Sequence, residues 1–243
     1  MKKLKKLAIT ILLVLSMASF NTSAAFAAPL INGAYWCHMK TSLYNGSTVY
    51  TCCLKVSSSN VSGNWAGTYN GATLSENAID LWNDHSQALV EIEHTNFATA
   101  NVDLITYKGT IDEWEEAAPS NGQAFTILSD KSGNRYTGGF GEGGVSASEF
   151  GSRINYACVI FNPSSTGVAA NNENTPKLNL IKTITHEIGH CINLAHPSSA
   201  DGQDAYLQPS VMCTIWETTW NSYPAPTPFD LRLIRNIYTQ IYS

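Results

Sequence analysis

The chain has 243 residues, of which 44% are hydrophobic and 14% are charged, and it carries six cysteines and a formal net charge of −5. This balance excludes a disordered acidic tail, a basic nucleic-acid-binding protein and a polytopic membrane protein. The charge is unevenly distributed, because four lysines fall within the first six residues and no Asp or Glu precedes Glu76.

Residues 1–27 are predicted to be a secretory signal peptide. The basic start is followed by an apolar stretch over 7–18 and then by Ala25-Phe26-Ala27, after which cleavage is expected. A membrane anchor is the alternative, but it needs roughly 20 apolar residues and this stretch has twelve. Cleavage leaves residues 28–243, which carry a net charge of −9. We therefore expect a secreted, extracellular monomer that binds neither nucleic acid nor membranes.

The strand predictions come from segments that are rich in β-branched and aromatic residues. Four such segments are predicted to be strands, at residues 48–56, 88–93, 101–107 and 154–161. The stretch 57–71 is interpreted as a Gly/Asn/Ser-rich connection and 109–144 as mostly loop. With the helices below, this order predicts a single α+β domain over 28–243, with no repeats and no distinct prodomain.

Capping patterns predict three helices. Thr73 and Glu76 form a capping box that opens the first helix, which is expected to end at 83–84. The second helix is predicted to begin with Thr175 as N-cap and Pro176 in its first turn. Asn193 is expected to end that helix, because Asn tolerates the left-handed conformation of the C′ position.

The last helix is predicted to begin at another capping box, Thr227 to Asp230. Apolar residues then recur at helical spacing and are expected to face the core: Leu231, Ile234, Ile237, Tyr238 and Ile241.

The second helix carries His186-Glu187-Ile188-Gly189-His190, followed by His196. Residues four apart lie on one helix face, so His186 and His190 can bind one metal ion. If the chain reverses at Asn193, His196 supplies a third ligand. Three imidazoles suit Zn²⁺ and leave a fourth position open for a water molecule, which Glu187 can reach. The alternative interpretation is that these are ordinary polar residues of a solvated helix.

This motif resembles that of the metzincin zinc endopeptidases, H-E-x-x-H-x-x-G-x-x-H followed by a methionine turn. The chain departs from the pattern at Asn193, which replaces the glycine, and Met212 in Ser210-Val211-Met212-Cys213 resembles the Met-turn. The order of elements over residues 45–243 is most similar to the matrixin branch. The resemblance implies a twisted mixed sheet, an active-site helix, a Met-turn and a C-terminal helix.

The resemblance also implies one catalytic zinc ion. His38, His85 and His94 all precede the long loop, so a second zinc of the matrixin kind is not expected. Thr214 stands where related branches have a tyrosine near the metal, so no tyrosine ligand is expected. Binding of calcium by carbonyl and Asp oxygens is a further possibility that the sequence does not decide.

The implied activity is hydrolysis of peptide bonds in extracellular proteins, with Glu187 as the general base for a zinc-activated water. The strand 154–161, with Val159 and Ile160, is expected to pair with an extended peptide, unless it is an interior strand. Ile215 and Trp216 are expected to line the pocket for the residue after the cleaved bond. The alternative function is a catalytically inactive, metzincin-like binding or adhesive protein.

The six cysteines are expected to form disulfide bonds, because an exported protein meets an oxidising environment. The sequence does not determine their pairing. Cys191 and Cys213 are one candidate pair, and Cys37 is either disulfide-bonded or an inhibitory ligand of the zinc.

Overall fold

The computed structural model describes residues 31, 34–61, 64–65, 69–107, 124–137, 146, 148–162, 176–196, 210–213 and 225–242. The predicted signal peptide, Thr175, Thr214, Ile215 and Trp216 lie outside these residues. Within them the protein is α+β, with an open mixed sheet and three helices.

The first half of the chain supplies six strands and one helix. They are β1 (Tyr35–Trp36), β2 (Met39–Tyr44), β3 (Ser47–Asn60), β4 (Asn64–Trp65), β5 (Tyr69–Asn70), α1 (Gly71–His85) and β6 (Val90–His94). A short 3-10 helix, Phe97–Thr99, follows β6. The remaining elements are β7 (Val102–Thr106), β8 (Ala124–Asp130), β9 (Arg135–Tyr136), β10 (Arg153–Phe161), α2 (Pro176–Cys191) and α3 (Pro228–Tyr242).

The main sheet has eight strands, with β2-β3-β7-β10-β8-β9 as its central path. β3, β7 and β10 are parallel to one another, and β6 and β1 pair in parallel with β3 and β10. β8 pairs with β10 in the antiparallel direction, with Val159 opposite Thr126. β4 and β5 form a separate two-stranded sheet.

The main hydrophobic core lies between one face of the sheet and the helices. Alternate residues of β10 contribute to different clusters, because successive side chains of a strand point to opposite faces. Ala157 and Val159 belong to the main core with Ile184 and Ile188 of α2. Cys158 and Ile160 pack instead against Phe125 and Ile127 on the other face.

α1 fixes the position of α2. Trp82 of α1 is completely buried, and its indole Nε1 donates a hydrogen bond of 2.9 Å to the carbonyl of Thr185, one residue before His186. A buried indole packs a large apolar surface while its N–H finds an acceptor. This contact anchors the turn of α2 from which the site residues project.

Several boundaries differ from the sequence predictions. The predicted loop 109–144 contains β8 and β9, and the connection 57–71 contains the end of β3 and the strands β4 and β5. α1 begins two residues before Thr73 because the Asn70 side chain caps it, accepting from the Thr73 amide at 3.2 Å. The predicted capping box at Thr73 and Glu76 is therefore wrong.

Other predictions are confirmed. Four predicted strands appear as β3, β6, β7 and β10, and α2 begins at Pro176. The second capping box is present, because the Thr227 amide donates to Asp230 Oδ2 at 2.8 Å and the Asp230 amide donates to Thr227 Oγ1 at 3.4 Å.

All six cysteines lie among the described residues and all are free thiols. The expectation of disulfide bonds, including a Cys191–Cys213 bridge, is therefore wrong for this structure. The thiol of Cys191 donates to the Glu187 carbonyl at 3.3 Å, and that of Cys37 donates to Asn155 Oδ1 at 3.5 Å. In the part of the chain that the structure describes, no helix is long and apolar enough to cross a membrane.

Candidate metal centre

The end of α2 forms a turn that brings three histidines together. The Leu194 amide donates to the Gly189 carbonyl at 3.1 Å and the Asn193 amide to the His190 carbonyl at 2.9 Å. These two bonds define a Schellman motif, whose C′ residue adopts the left-handed conformation. Asn193 occupies that position with φ of 69°. The prediction that Asn193 ends the helix and reverses the chain is therefore confirmed.

The imidazoles of His186, His190 and His196 converge on one point. Nε2 of His196 lies 2.9 Å from Nε2 of His186 and 3.1 Å from Nε2 of His190. One nitrogen from each ring falls within 4.8 Å of the others. The reversal at Asn193 thus brings the third histidine to the two on the helix, as the motif predicts.

The remaining ring nitrogens show why this group suits a cation. Nδ1 of His186 lies 2.9 Å from the Val211 carbonyl, and Nδ1 of His190 lies 2.7 Å from the Leu194 carbonyl. A backbone carbonyl only accepts hydrogen bonds, so both rings carry a proton on Nδ1 and turn a lone pair on Nε2 toward His196. The lone pairs on Nε2 of His186 and His190 are therefore available to a cation bound beside His196, so this donor set fits a metal ion.

The protonation of these rings agrees with that arrangement. Burial and the charge of His196 lower the pKa of His190 to about 3. Burial and the other two histidines hold the pKa of His186 well below its usual range. Both rings are consequently neutral at pH 7, the form in which imidazole binds a metal.

Glu187 is adjacent to the first histidine but points toward the sheet. Its side chain is only 6% exposed, and its Oε2 accepts a hydrogen bond of 2.6 Å from Thr126 Oγ1 on β8. Burial raises the pKa of Glu187 to about 7, although the Thr126 hydrogen bond opposes this shift. A carboxyl group with a pKa near neutrality can both accept and release a proton at pH 7.

The segment containing Met212 lies against α2. Met212 is completely buried, and a Cβ atom added to Gly189 would overlap its sulfur. The same segment supplies the Val211 carbonyl that orients His186. The segment 210–213 therefore packs against the part of α2 that carries His186 and His190, and the assignment of Met212 to a Met-turn stays a prediction.

Asp230 of α3 holds the segment 210–213 in place through hydrogen bonds. The sequence predicts only that Asp230 belongs to a capping box. Its Oδ2 accepts from the Val211 amide at 3.0 Å and from the Thr227 amide at 2.8 Å, while its Oδ1 accepts from the Ser210 hydroxyl. Burial raises the pKa of this carboxyl, and these bonds oppose the shift. The sequence shows the cap but gives no sign that the same carboxylate holds a segment about 20 residues earlier.

The strand that was expected to receive the substrate is an interior strand. Val159 and Ile160 of β10 pair with Leu104 and Ile105 of β7 on one side and with Thr126 and Phe125 of β8 on the other. The prediction that 154–161 pairs with a peptide is therefore wrong, because both of its hydrogen-bonding edges are occupied. The interior-strand alternative is correct, and Val159 is completely buried.

β8 is the strand that approaches Glu187, and the sequence analysis does not predict it, because it places residues 109–144 mostly in a loop. It lies between β10 and the short β9, which pairs with Leu128 and Ser129 of β8. The run Phe125-Thr126-Ile127 carries the aromatic and β-branched residues typical of a strand, which was the available signal. Its position inside a Gly- and Ser-rich stretch concealed it.

No protein-family model and no curated protein matches this chain. The chemistry of the three histidines and Glu187 therefore carries the functional argument.

Proposed function

We propose that the chain is a secreted zinc-dependent endopeptidase of the metzincin type, closest to the matrixins. The convergence of three imidazoles, of which those of His186 and His190 are neutral at pH 7, next to a buried glutamate with a pKa of about 7 carries this proposal. Nitrogens bound to one tetrahedral zinc at 2.0–2.1 Å lie about 3.3 Å apart. The observed separations of 2.9 and 3.1 Å are close to that value. The extracellular location is inferred from the predicted leader over 1–27.

The zinc ion, when bound, would lower the pKa of a water molecule and polarise the carbonyl of the peptide bond. His186, His190 and His196 would hold it through Nε2. The carbonyls of Val211 and Leu194 fix the orientation of the first two rings and increase their basicity, as outer hydrogen bonds to ligating histidines generally do.

Glu187 would transfer the proton. In its ionised form the carboxylate accepts a proton from the attacking water, and the resulting carboxylic acid donates that proton to the departing amine. Burial keeps the pKa of Glu187 at about 7, so neither transfer is strongly uphill at neutral pH. Thr126 holds the side chain at 2.6 Å and limits its rotation.

The substrate would lie beside β8. The Thr126 hydroxyl reaches both the side chain and, at 3.2 Å, the carbonyl of Glu187, so this strand runs next to the base. A peptide in extended conformation that adds to a strand gains main-chain hydrogen bonds in register. Such a pose would bring the scissile bond toward Glu187. Ile215 and Trp216 stay predictions for the pocket of the residue after that bond.

Removal and return of zinc tests the proposal. The purified protein is treated with a chelator, and cleavage of an unfolded, fluorescently labelled protein is measured before and after one equivalent of Zn²⁺ is added. We expect cleavage to be lost on chelation and recovered with zinc, and His190→Ala not to recover. Equal cleavage with and without chelator would contradict the proposal. Stoichiometric zinc binding without any cleavage would favour a binding protein that lacks turnover.

A further inference from the structure

The side chain of Asn193 makes contacts that its backbone role does not require. Oδ1 accepts from the Ile31 amide at 2.8 Å, and Nδ2 donates to the Ile31 carbonyl at 2.9 Å and to the Ala34 carbonyl at 2.8 Å. Asn193 is completely buried, and these bonds use both amide hydrogens and the oxygen of its carboxamide. The end of the metal helix is thus joined to residues that precede β1.

A second link joins the same two parts of the chain. The hydroxyl of Tyr238 on α3 donates to the Ile192 carbonyl at 3.0 Å and accepts from the Trp36 amide at 3.2 Å. Ile192 and Asn193 are consecutive residues of the turn after α2, and Trp36 belongs to β1. Two independent buried side chains therefore connect the start of the described chain to this turn.

The turn determines where two of the three histidine side chains lie. It carries His196, and the Leu194 carbonyl fixes Nδ1 of His190 at 2.7 Å. The left-handed conformation at φ of 69° alone would be satisfied by glycine, which adopts it with less strain. The asparagine side chain is needed only for its contacts with Ile31 and Ala34.

We propose that Asn193 is a positioning residue, whose carboxamide holds Ile31 and Ala34 against the turn after α2. Docking of these two residues, called the docked segment below, sets the geometry of the histidine group for metal binding. The inference rests on the metal site of the proposed function. Because binding linkage is reciprocal, bound zinc must in turn stabilise the docked segment. The stability of the docked segment and the affinity for zinc therefore both measure the coupling between segment docking and metal binding.

Asn193→Gly separates the clamp from the backbone conformation, because it keeps the left-handed turn and removes only the carboxamide. Zinc affinity of the metal-free protein is measured by competition with a chromophoric chelator. We expect Asn193→Gly to bind zinc about tenfold more weakly than wild type, at the lower end of the usual loss for partners of metal-binding histidines. Tyr238→Phe, which removes only the second link, is expected to weaken binding in the same direction.

Amide hydrogen exchange gives a readout that does not depend on activity. In the wild type, zinc should slow exchange of the Ile31 and Trp36 amides, whose acceptors are Asn193 Oδ1 and the Tyr238 hydroxyl. Asn193→Gly should abolish the zinc-dependent protection of Ile31, and Tyr238→Phe that of Trp36.

Wild-type zinc affinity in either folded variant, or zinc-dependent protection of Ile31 that persists in Asn193→Gly, would overturn the proposal. Its failure is distinct from failure of the proposed function. A wild type that binds zinc without cleaving peptides leaves the coupling intact, whereas a protease whose Asn193→Gly variant binds zinc normally refutes the coupling alone.

Discussion

Thr126 Oγ1 lies 2.6 Å from Oε2 of Glu187, and this hydrogen bond joins strand β8 to helix α2, which carries His186 and His190. The two residues are 61 positions apart in the sequence. The bond places the candidate general base beside the strand next to which an extended peptide would lie. It also opposes the increase in pKa that burial imposes on Glu187.

Thr126→Val is predicted to reduce kcat/KM roughly tenfold at pH 7, because the carboxylate loses a hydrogen bond that orients it and favours its ionised form. The pKa of Glu187, about 7 with the bond in place, should rise when the bond is lost. The acid limb of the kcat/KM profile should therefore move to higher pH. Thr126→Ser keeps the hydroxyl and is the matched control; an identical loss in both variants would show that the hydroxyl is not responsible.

Gly189→Ala is predicted to destabilise the fold by about 1–3 kcal/mol and to weaken zinc binding, because the new methyl group would overlap the sulfur of Met212. Urea unfolding and a zinc titration measure the two effects. In a Met212→Ala background the overlapping atom is absent, so the added cost of Gly189→Ala should fall. Additive effects in the double variant would disprove a direct contact.

Asp230→Ala is predicted to lower the free energy of unfolding by about 3 kcal/mol, because it leaves the Val211 and Thr227 amides and the Ser210 hydroxyl without their buried acceptor. Asp230→Asn keeps one carbonyl oxygen for the two amides and should cost less. Thermal unfolding distinguishes the variants. Equal stability of Asp230→Ala and wild type would mean that this carboxylate does not hold the Met212 segment.

All six cysteines are predicted to react with a maleimide in denaturant without prior reduction, since the structure contains only free thiols. In the native protein Cys52, Cys191 and Cys213 should be protected, because they are buried. Burial also raises the pKa of Cys52 and Cys191 and thereby reduces their thiolate fraction. Intact-mass analysis counts the adducts, and any pair of cysteines that fails to react would reveal a disulfide bond.

The parts of the site that were predictable are those encoded locally. The spacing of His186 and His190 places them on one helix face, and the preference of Asn for the left-handed conformation locates the reversal that returns His196. The cap at Thr227 was predictable for the same reason, because its two partners lie three residues apart.

The parts that could not be predicted depend on distant pairing. β10 lies inside the sheet because β7 and β8 pair with its two edges. The sequence of residues 154–161 does not indicate which strands will pair with it. The second role of Asn193 involves Ile31, which lies 162 residues away. The N-cap of α1 is Asn70 and not the predicted Thr73. Both Asn and Thr are suitable N-cap residues, so the local sequence does not distinguish the two starts, and tertiary packing selects the start of the helix.

The central claim is that Glu187 transfers the proton in a zinc-dependent hydrolysis of peptide bonds. Wild type and Glu187→Gln, each loaded with zinc and with its metal content verified, are compared for cleavage of the same unfolded protein substrate. We predict that Glu187→Gln retains one zinc ion per chain and the native fold, while kcat falls at least a hundredfold, as expected for loss of a general base. Cleavage by Glu187→Gln at the wild-type rate would contradict the assignment.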